Sequence, residues 1–363
     1  MGILKDKMKI NKVSLDFSNY YFFLKGIEKS GKTTLARDLI LKLYNNNPNA
    51  GLLLAIGKEK GYKALDSIQA LDVETWKDFA EAVDDLVNNR EEYSDIKFVF
   101  VDTLDELVEL AEKETISYSN RTTGKRVTTL NQALGGYGSG RKYLCKIVDE
   151  KLSALKQAGY GLMVIGHTKL RTIKEQGMTD EQEFQVLDSN LSSDYANIVA
   201  HKADVMATIN IEREINDAKR VIDTKRYIYF RGNGFINAGS RFSNIAEKVE
   251  LSADNFIKAI EGAIRASMNT PITDDELKTR KEQEIKDNEI KAKEFVDKHK
   301  AESSLENSDN LQVKQEKLDR IKSNLSRIAM NELQSIMTKH NILNFNDVSV
   351  ISMEALDEII SLI

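Results

Sequence analysis

Gly26-Ile27-Glu28-Lys29-Ser30-Gly31-Lys32-Thr33 has the spacing G-x-x-x-x-G-K-[ST], and Thr34 follows it directly. Glycines at those two places let successive backbone N–H groups point inward at an anion, and a helix that starts there adds its partial positive charge. Lys32 then reaches the β- and γ-phosphates of a nucleotide, and the Thr33 hydroxyl ligates Mg²⁺. The residues therefore imply binding of ATP or a similar triphosphate together with Mg²⁺.

Three further groups belong to the same chemistry. Phe98-Val99-Phe100-Val101-Asp102 ends an apolar run in a carboxylate, which places Asp102 at the ligand edge of a parallel sheet as the second-shell partner of Mg²⁺. An aspartate at a strand end can also be a plain helix cap, and Thr103 is equally eligible for that task. Hydrolysis needs a group that orients the attacking water. The position after Asp102 is Thr103, so the candidate is Glu59, at the end of Leu52-Leu53-Leu54-Ala55-Ile56-Gly57-Lys58-Glu59, with a solvated loop glutamate as the alternative. His167 closes another apolar run, Gly161 to Gly166, where it is either a structural residue or a donor that senses the γ-phosphate.

These residues need a scaffold of a particular kind. Tyr20 to Lys25, Gly51 to Gly57, Lys97 to Asp102 and Gly161 to Gly166 read as strands, and runs such as FVFVD and LMVIG are apolar on both faces. Between them, Leu35, Leu39, Ile40 and Leu43 share one helical face, as do Trp76, Phe79, Val83, Leu86 and Val87. Strand and helix in alternation predict an α/β fold with a mostly parallel, doubly wound sheet. Asp204 to Glu212 and Arg226 to Arg231 read as a closing antiparallel pair.

The boundaries follow from composition. Residues 1–268 hold every nucleotide motif and form the core. Residues 269–328, rich in Lys, Glu, Asp and Asn, read as a charged helical or flexible linker. Residues 329–363 read as a small helical C-terminal module, with Ser352 capping a helix whose Leu356, Ile359, Ile360 and Ile363 share a face. That module either folds back on the core or docks a partner.

With 363 residues, 41% of them hydrophobic, the chain can bury a full α/β core. No apolar run approaches the ~20 residues that span a bilayer, and MGILKDKMKINK lacks the apolar core of a signal peptide, so no membrane association and a cytoplasmic location are expected. One cysteine, Cys145, excludes an intramolecular disulfide, and the four histidines lack metal-ligand spacing. The net charge of −5 argues against a general nucleic-acid coat but leaves room for a local basic patch.

The phosphate loop on its strand, a glutamate ending the second strand, Asp102 and His167 occur in an order that resembles the RecA-like ATPases. The likeness is greatest to the phage-encoded RecA-like proteins of the Sak group, which are single-strand annealing recombinases, and it covers roughly Asn19 to Phe242. It implies a RecA-like P-loop NTPase core, ATP set between subunits of a homo-oligomeric ring or filament, and single-stranded DNA on loops near the axis. For a phage protein the compartment would be the bacterial cytoplasm. The stretch Asn237-Ala238-Gly239-Ser240-Arg241-Phe242 resembles the end of that family's domain, which makes Arg241 a candidate for acting across a subunit boundary. His167 stands where the bacterial recombinase has Gln.

One DNA loop has support from the residues themselves. Thr115 to Val148 contains no Asp or Glu but holds Arg121, Lys125, Arg126, Arg141, Lys142 and Lys146, with five glycines between. Tyr118, Tyr137 and Tyr143 there offer flat faces for bases. The segment after Lys169, Arg171 and Lys174 turns acidic and is unsuited to phosphate. Two other functions fit the residues: a helicase-like motor or its loader, and a regulatory nucleotide-binding module with a protein partner. The C-terminal module could dock a single-stranded DNA-binding protein.

Overall fold

The computed structural model describes residues 12–58, 60–174, 183–268, 273–325 and 328–340, then 342, 344, 345, 348 and 351–362. Two compact units divide at Lys293.

The first unit is built on strands β1 (Tyr21–Gly26), β2 (Gly51–Ile56), β3 (Ala70–Val73), β4 (Phe98–Asp102), β5 (Gly161–Ile173), β6 (Phe184–Ser189), β7 (Val205–Ile215), β8 (Val221–Tyr229), β9 (Gly239–Ser240) and β10 (Lys248–Glu250). Their order is β10-β8-β7-β1-β5-β4-β2-β3, with β6 on β5 and β9 on β7. The six strands from β7 to β3 are parallel; β8 is antiparallel to β7, and β10 is antiparallel to β8. The expected doubly wound α/β sheet is thus present, with β5 between the phosphate-loop strand β1 and β4.

Each face of this sheet carries helices because alternate side chains point opposite ways. Phe22, Leu24, Phe98, Phe100, Met163, Ile165, Ala207 and Ile209 share a core with Leu35, Leu39 and Ile40 of α1 (Lys32–Leu43) and with Phe256, Ile260 and Ile264 of α6 (Ala253–Ala266). The intervening Phe23, Val99, Val101, Leu162 and Val164, also buried, face the side of α2 (Trp76–Asn88), α3 (Leu104–Thr123) and α4 (Ser139–Gln157). α2 opens on a capping box, Thr75 and Asp78 each bonding the other's backbone N–H. A short helix, α5 (Ser193–Ala200), precedes β7.

Helix α7 (Asp274–Asn324) occupies most of the segment expected to be a charged linker. Its first turns belong to the first unit: Glu284 accepts hydrogen bonds from Leu15 N (2.8 Å) and Asn19 Nδ2 (2.7 Å), and Arg280 donates to Val13 O (2.6 Å). The compact-unit boundary therefore lies beyond the compositional boundary at 268. The second unit, Glu294–Ile363, has its own core, in which Leu318 and Ile321 of α7 meet Leu333 and Ile336 of α8 (Met330–Lys339) and Ala355, Leu356 and Ile359 of α9 (Met353–Ile360). Ser352 caps α9, accepting from Ala355 N at 3.2 Å.

A half-buried cation ties α4 to the residues just before β1. Lys156 Nζ donates to Ser18 O at 2.6 Å, and burial lowers its pKa to about 8 despite the attraction of Asp204 and Asp16. The unfolded lysine titrates near 10.5, so between pH 8 and 10.5 the unfolded chain binds more protons and stability rises with pH. Below pH 8 the full cost of burying the charge is present, on the order of 3 kcal/mol. Four buried or half-buried tyrosines act in the opposite sense. Burial raises Tyr20, Tyr21 and Tyr44 and pushes Tyr160 up to about 12, so above pH 10 their ionisation favours the unfolded chain. Urea midpoints should climb from pH 8 towards 10 and then fall, and Lys156→Met should flatten the climb.

Candidate functional site

The phosphate loop begins where β1 ends. Gly26 lies in register with His167 of β5 on one side and Ile209 of β7 on the other, so the loop leaves the middle of the sheet at its C-terminal edge. Gly31 has φ +102°, a conformation that favours glycine, and α1 starts after it without a side-chain cap. Ile27, Glu28 and Lys29 are exposed at the lip, Thr34 is half-buried, and Ser30 is buried with its Oγ unbonded.

Lys32 is buried, and its Nζ donates to Gly26 O and Ile27 O, each at 2.9 Å, while standing 3.3 Å from His167 Nδ1. Its ammonium thus lies inside the loop it would share with a phosphate. Thr33 Oγ1 donates to Asp102 Oδ2 at 2.7 Å. These residues fit a triphosphate with a divalent cation: an uncapped helix start, a buried ammonium beside loop carbonyls and an imidazole, and a hydroxyl–carboxylate pair next to them. The cleft around them, about 380 Å³, is lined by Glu28, Lys32, Thr33, Asp102, His167 and Arg226, among others.

The structure places Lys32, Thr33, Asp102 and His167 around one cleft. Glu59 lies outside the described residues. Near the end of β2 stands a carboxylate that the pattern of residues did not single out: Glu106 Oε2 accepts from Lys58 N at 3.4 Å and would lie 2.2 Å from a Cβ on Gly57. Asp105 Oδ2 accepts the His167 N–H at 2.9 Å, fixing the backbone midway along β5, and its Oδ1 is buried and unbonded.

A second network backs the loop. Lys25, 1% exposed, pairs with Asp188 of β6 at 3.1 Å, and Asn237 Nδ2 donates to the same oxygen at 2.8 Å. Burial lowers the Lys25 pKa against the pull of Asp188. At Asp188 burial pushes upward, but the Lys25 charge and the bonds from Ser189 N and Asn237 outweigh it and hold the carboxylate low. Sequence gives no sign of this network, because Asp188 stands 163 residues from Lys25 and Asn237 a further 49 from Asp188.

Arg241 lies at the opposite end of the strands. It pairs with Asp204 at 3.1 Å and donates to His201 O at 3.0 Å, and Asp204 N donates to Tyr21 O at the start of β1. Within one chain it is therefore a strand's length from the phosphate loop.

The acid-free segment is largely helical. α3 continues to Thr123 and α4 begins at Ser139, which leaves the loop to residues 124–138. Lys125, Arg126 and Lys142 are exposed, and Tyr137, at φ +52°, is wholly so. Arg121 pairs with Glu114 at 2.8 Å and Arg141 with Asp194 at 2.9 Å. Tyr118 and Tyr143 stack on each other, centroids 4.6 Å apart, so their facing sides are taken.

A strand, a glycine loop closed by Lys32 and Thr33, a helix, and Asp102 two strands away define a P-loop NTPase core. The chain belongs to the AAA domain family, whose model matches residues 18–242. Among solved structures it is similar to a KaiC-like protein from the hyperthermophilic archaeon Pyrococcus horikoshii OT3, at 12% identity, over 64% of this chain and 85% of that one, with a TM-score of 0.34. No curated protein matches the chain significantly. Among the described residues no helix is long and apolar enough to cross a membrane.

Proposed function

We propose that this chain binds and hydrolyses ATP with Mg²⁺ and, as a RecA-like homo-oligomer, uses the nucleotide to govern binding of single-stranded DNA in phage recombination or strand annealing. The observation that carries the nucleotide half is the pair of bonds at the loop: Lys32 inside the carbonyls of Gly26 and Ile27, and Thr33 on Asp102. Lys32 exchanges those carbonyls for phosphate oxygens, and Thr33 and Asp102 hold the cation, one directly and one behind it. The cation supplies charge neutralisation between the phosphates. His167, next to Lys32 and at the root of the β5–β6 hairpin, takes the γ-phosphate contact, and Glu59 orients water. In this reading Arg241 serves a neighbouring subunit, and the second unit docks a single-stranded DNA-binding protein.

Support for the DNA half comes from the α3–α4 connection, where Lys125, Arg126, Lys142 and Tyr137 stand exposed in a chain of net negative charge. Arg121 and Arg141 can join them, since exposed ion pairs hold with at most about 1 kcal/mol. Anisotropy titration of single-stranded DNA over a salt series, with and without ATP, tests this. Replacing Lys125, Arg126 and Lys142 with Ala should weaken binding and reduce the salt slope by about 2, at ~0.7 per phosphate contact on single strands. Tyr137→Ala should cost on the order of 1 to 3 kcal/mol with little change in slope, because stacking releases few ions. Parent-like binding by the triple variant at every salt concentration removes the DNA reading. Rapid DNA-stimulated turnover with duplex unwinding would replace it with a motor.

A further inference from the structure

The nucleotide cleft is lined in part from outside the phosphate loop. Arg226, on β8, lines it together with Gly31, Thr34 and Leu65. Register fixes its height: Gly26 pairs with Ile209, and two residues further along β7 Ile211 pairs with Arg226. Arg226 therefore lies roughly 7 Å beyond the end of β1, at the level of the loop and not of the core. Alternation fixes its side. Ile228, two residues on, is buried in the cluster with Leu35 and Leu39 of α1, so Arg226 stands on the face that α1 covers, just past the start of that helix.

The backbone there is held. Leu251 N donates to Arg226 O at 2.8 Å, and a Cβ on Gly31 would lie 3.2 Å from Leu251 Cδ2, so one leucine bridges the arginine's strand to the phosphate loop. The side chain is exposed and forms no ion pair among the described residues. An arginine with five donors, fixed above an uncapped helix start, is suited to an anion.

Which part of the nucleotide it meets follows from strand order. Lys32 at the start of α1, His167 on β5 and Asp102 on β4 mark the γ-phosphate side, whereas Arg226 is on β8, separated from β5 by β1 and β7. Three strand spacings of ~4.8 Å set the His167 and Arg226 backbones roughly 14 Å apart. We infer that Arg226 binds the α-phosphate and ribose end of the nucleotide, within the same chain, as the counterpart of Lys32 at the other end. This rests on the ATP reading above and adds a residue to it. The arginine is a binding group shared by ATP and ADP, and it takes no part in sensing the γ-phosphate.

Calorimetric titration of the full chain with Mg·ADP and with Mg·β,γ-imido-ATP tests it, on the parent, Arg226→Ala, Arg226→Lys and Lys32→Ala. Because Arg226 is exposed, its variants should melt like the parent. The expected result is a rise in Kd of about tenfold for both nucleotides in Arg226→Ala, the two factors equal, with partial recovery in Arg226→Lys. Equal binding by parent and Arg226→Ala overturns the assignment, while a Lys32→Ala defect in the same series leaves the ATP reading standing. A loss confined to the ATP analogue also overturns it, since it would put the guanidinium at the γ-phosphate. A parent that binds neither nucleotide overturns both.

Discussion

Lys32→Ala is expected to abolish ATP turnover while the protein stays folded. The side chain is 6% exposed, and its ammonium meets polar groups, two loop carbonyls at 2.9 Å and His167 at 3.3 Å. An ammonium so placed is preorganised for the charge that builds between the β- and γ-phosphates, where fixed donors contribute most to rate. Losing it should lower kcat/KM by at least about 100-fold, equivalent to ~2.7 kcal/mol at 1.36 kcal/mol per tenfold. The melting temperature should stay within a few degrees of the parent, because deletion also removes the cost of holding a buried charge. Thr33→Ala should act differently, shifting the Mg²⁺ dependence, since its hydroxyl stands on Asp102 at 2.7 Å. Normal hydrolysis by Lys32→Ala would mean that the catalytic assignment of the loop is wrong.

What could be read from sequence was what depends on neighbours along the chain. The strands β1, β2, β4 and the first half of β5 were legible because a strand covered on both faces must be apolar throughout, as Phe98-Val99-Phe100-Val101 is. β3 escaped notice: Ala70-Leu71-Asp72-Val73 is a four-residue edge strand with only Val73 buried. β6 escaped for a similar reason, since Phe184–Ser189 pairs with the outer part of β5 and buries only Val186, Leu187 and Ser189. Glycines misled the reading of Thr115 to Val148. Only Gly124, Gly135, Gly136 and Gly138 punctuate a true loop, whereas Gly140 sits in α4 where a Cβ would strike Leu130 O at 2.5 Å. The site divides the same way. Lys32, Thr33 and Asp102 announce themselves by motif and strand end, but Arg226, Glu106 and Asp188 owe their places to register across the sheet and to helix packing, which spacing along the chain does not encode.

Asp188→Ala should destabilise the first unit on the order of 3 kcal/mol and loosen the phosphate loop with it. Lys25 is the residue before Gly26, fully enclosed, and its ammonium bonds Asp188 at 3.1 Å. With the carboxylate gone, a buried charge is left without its partner, the costly half of breaking an enclosed ion pair. Asn237 loses its acceptor as well, and it connects β6 to the segment before β9. Burial then acts on Lys25 unopposed and drives its pKa further down, so stability of the variant should rise with pH more steeply than that of the parent. Lys25→Met combined with Asp188→Leu removes both charges and should recover most of the loss, because similar volumes of apolar side chain fill the same space. The functional readout follows from position. Lys25 anchors the last turnless residue before the loop to the hairpin that also begins at His167, so Asp188→Ala should raise the Kd for Mg·ADP even at temperatures well below its melting point, and the double variant should restore it. If urea unfolding of Asp188→Ala matches the parent at pH 7, the pair carries no stabilising role and the loop takes its shape from Gly31 and α1 alone.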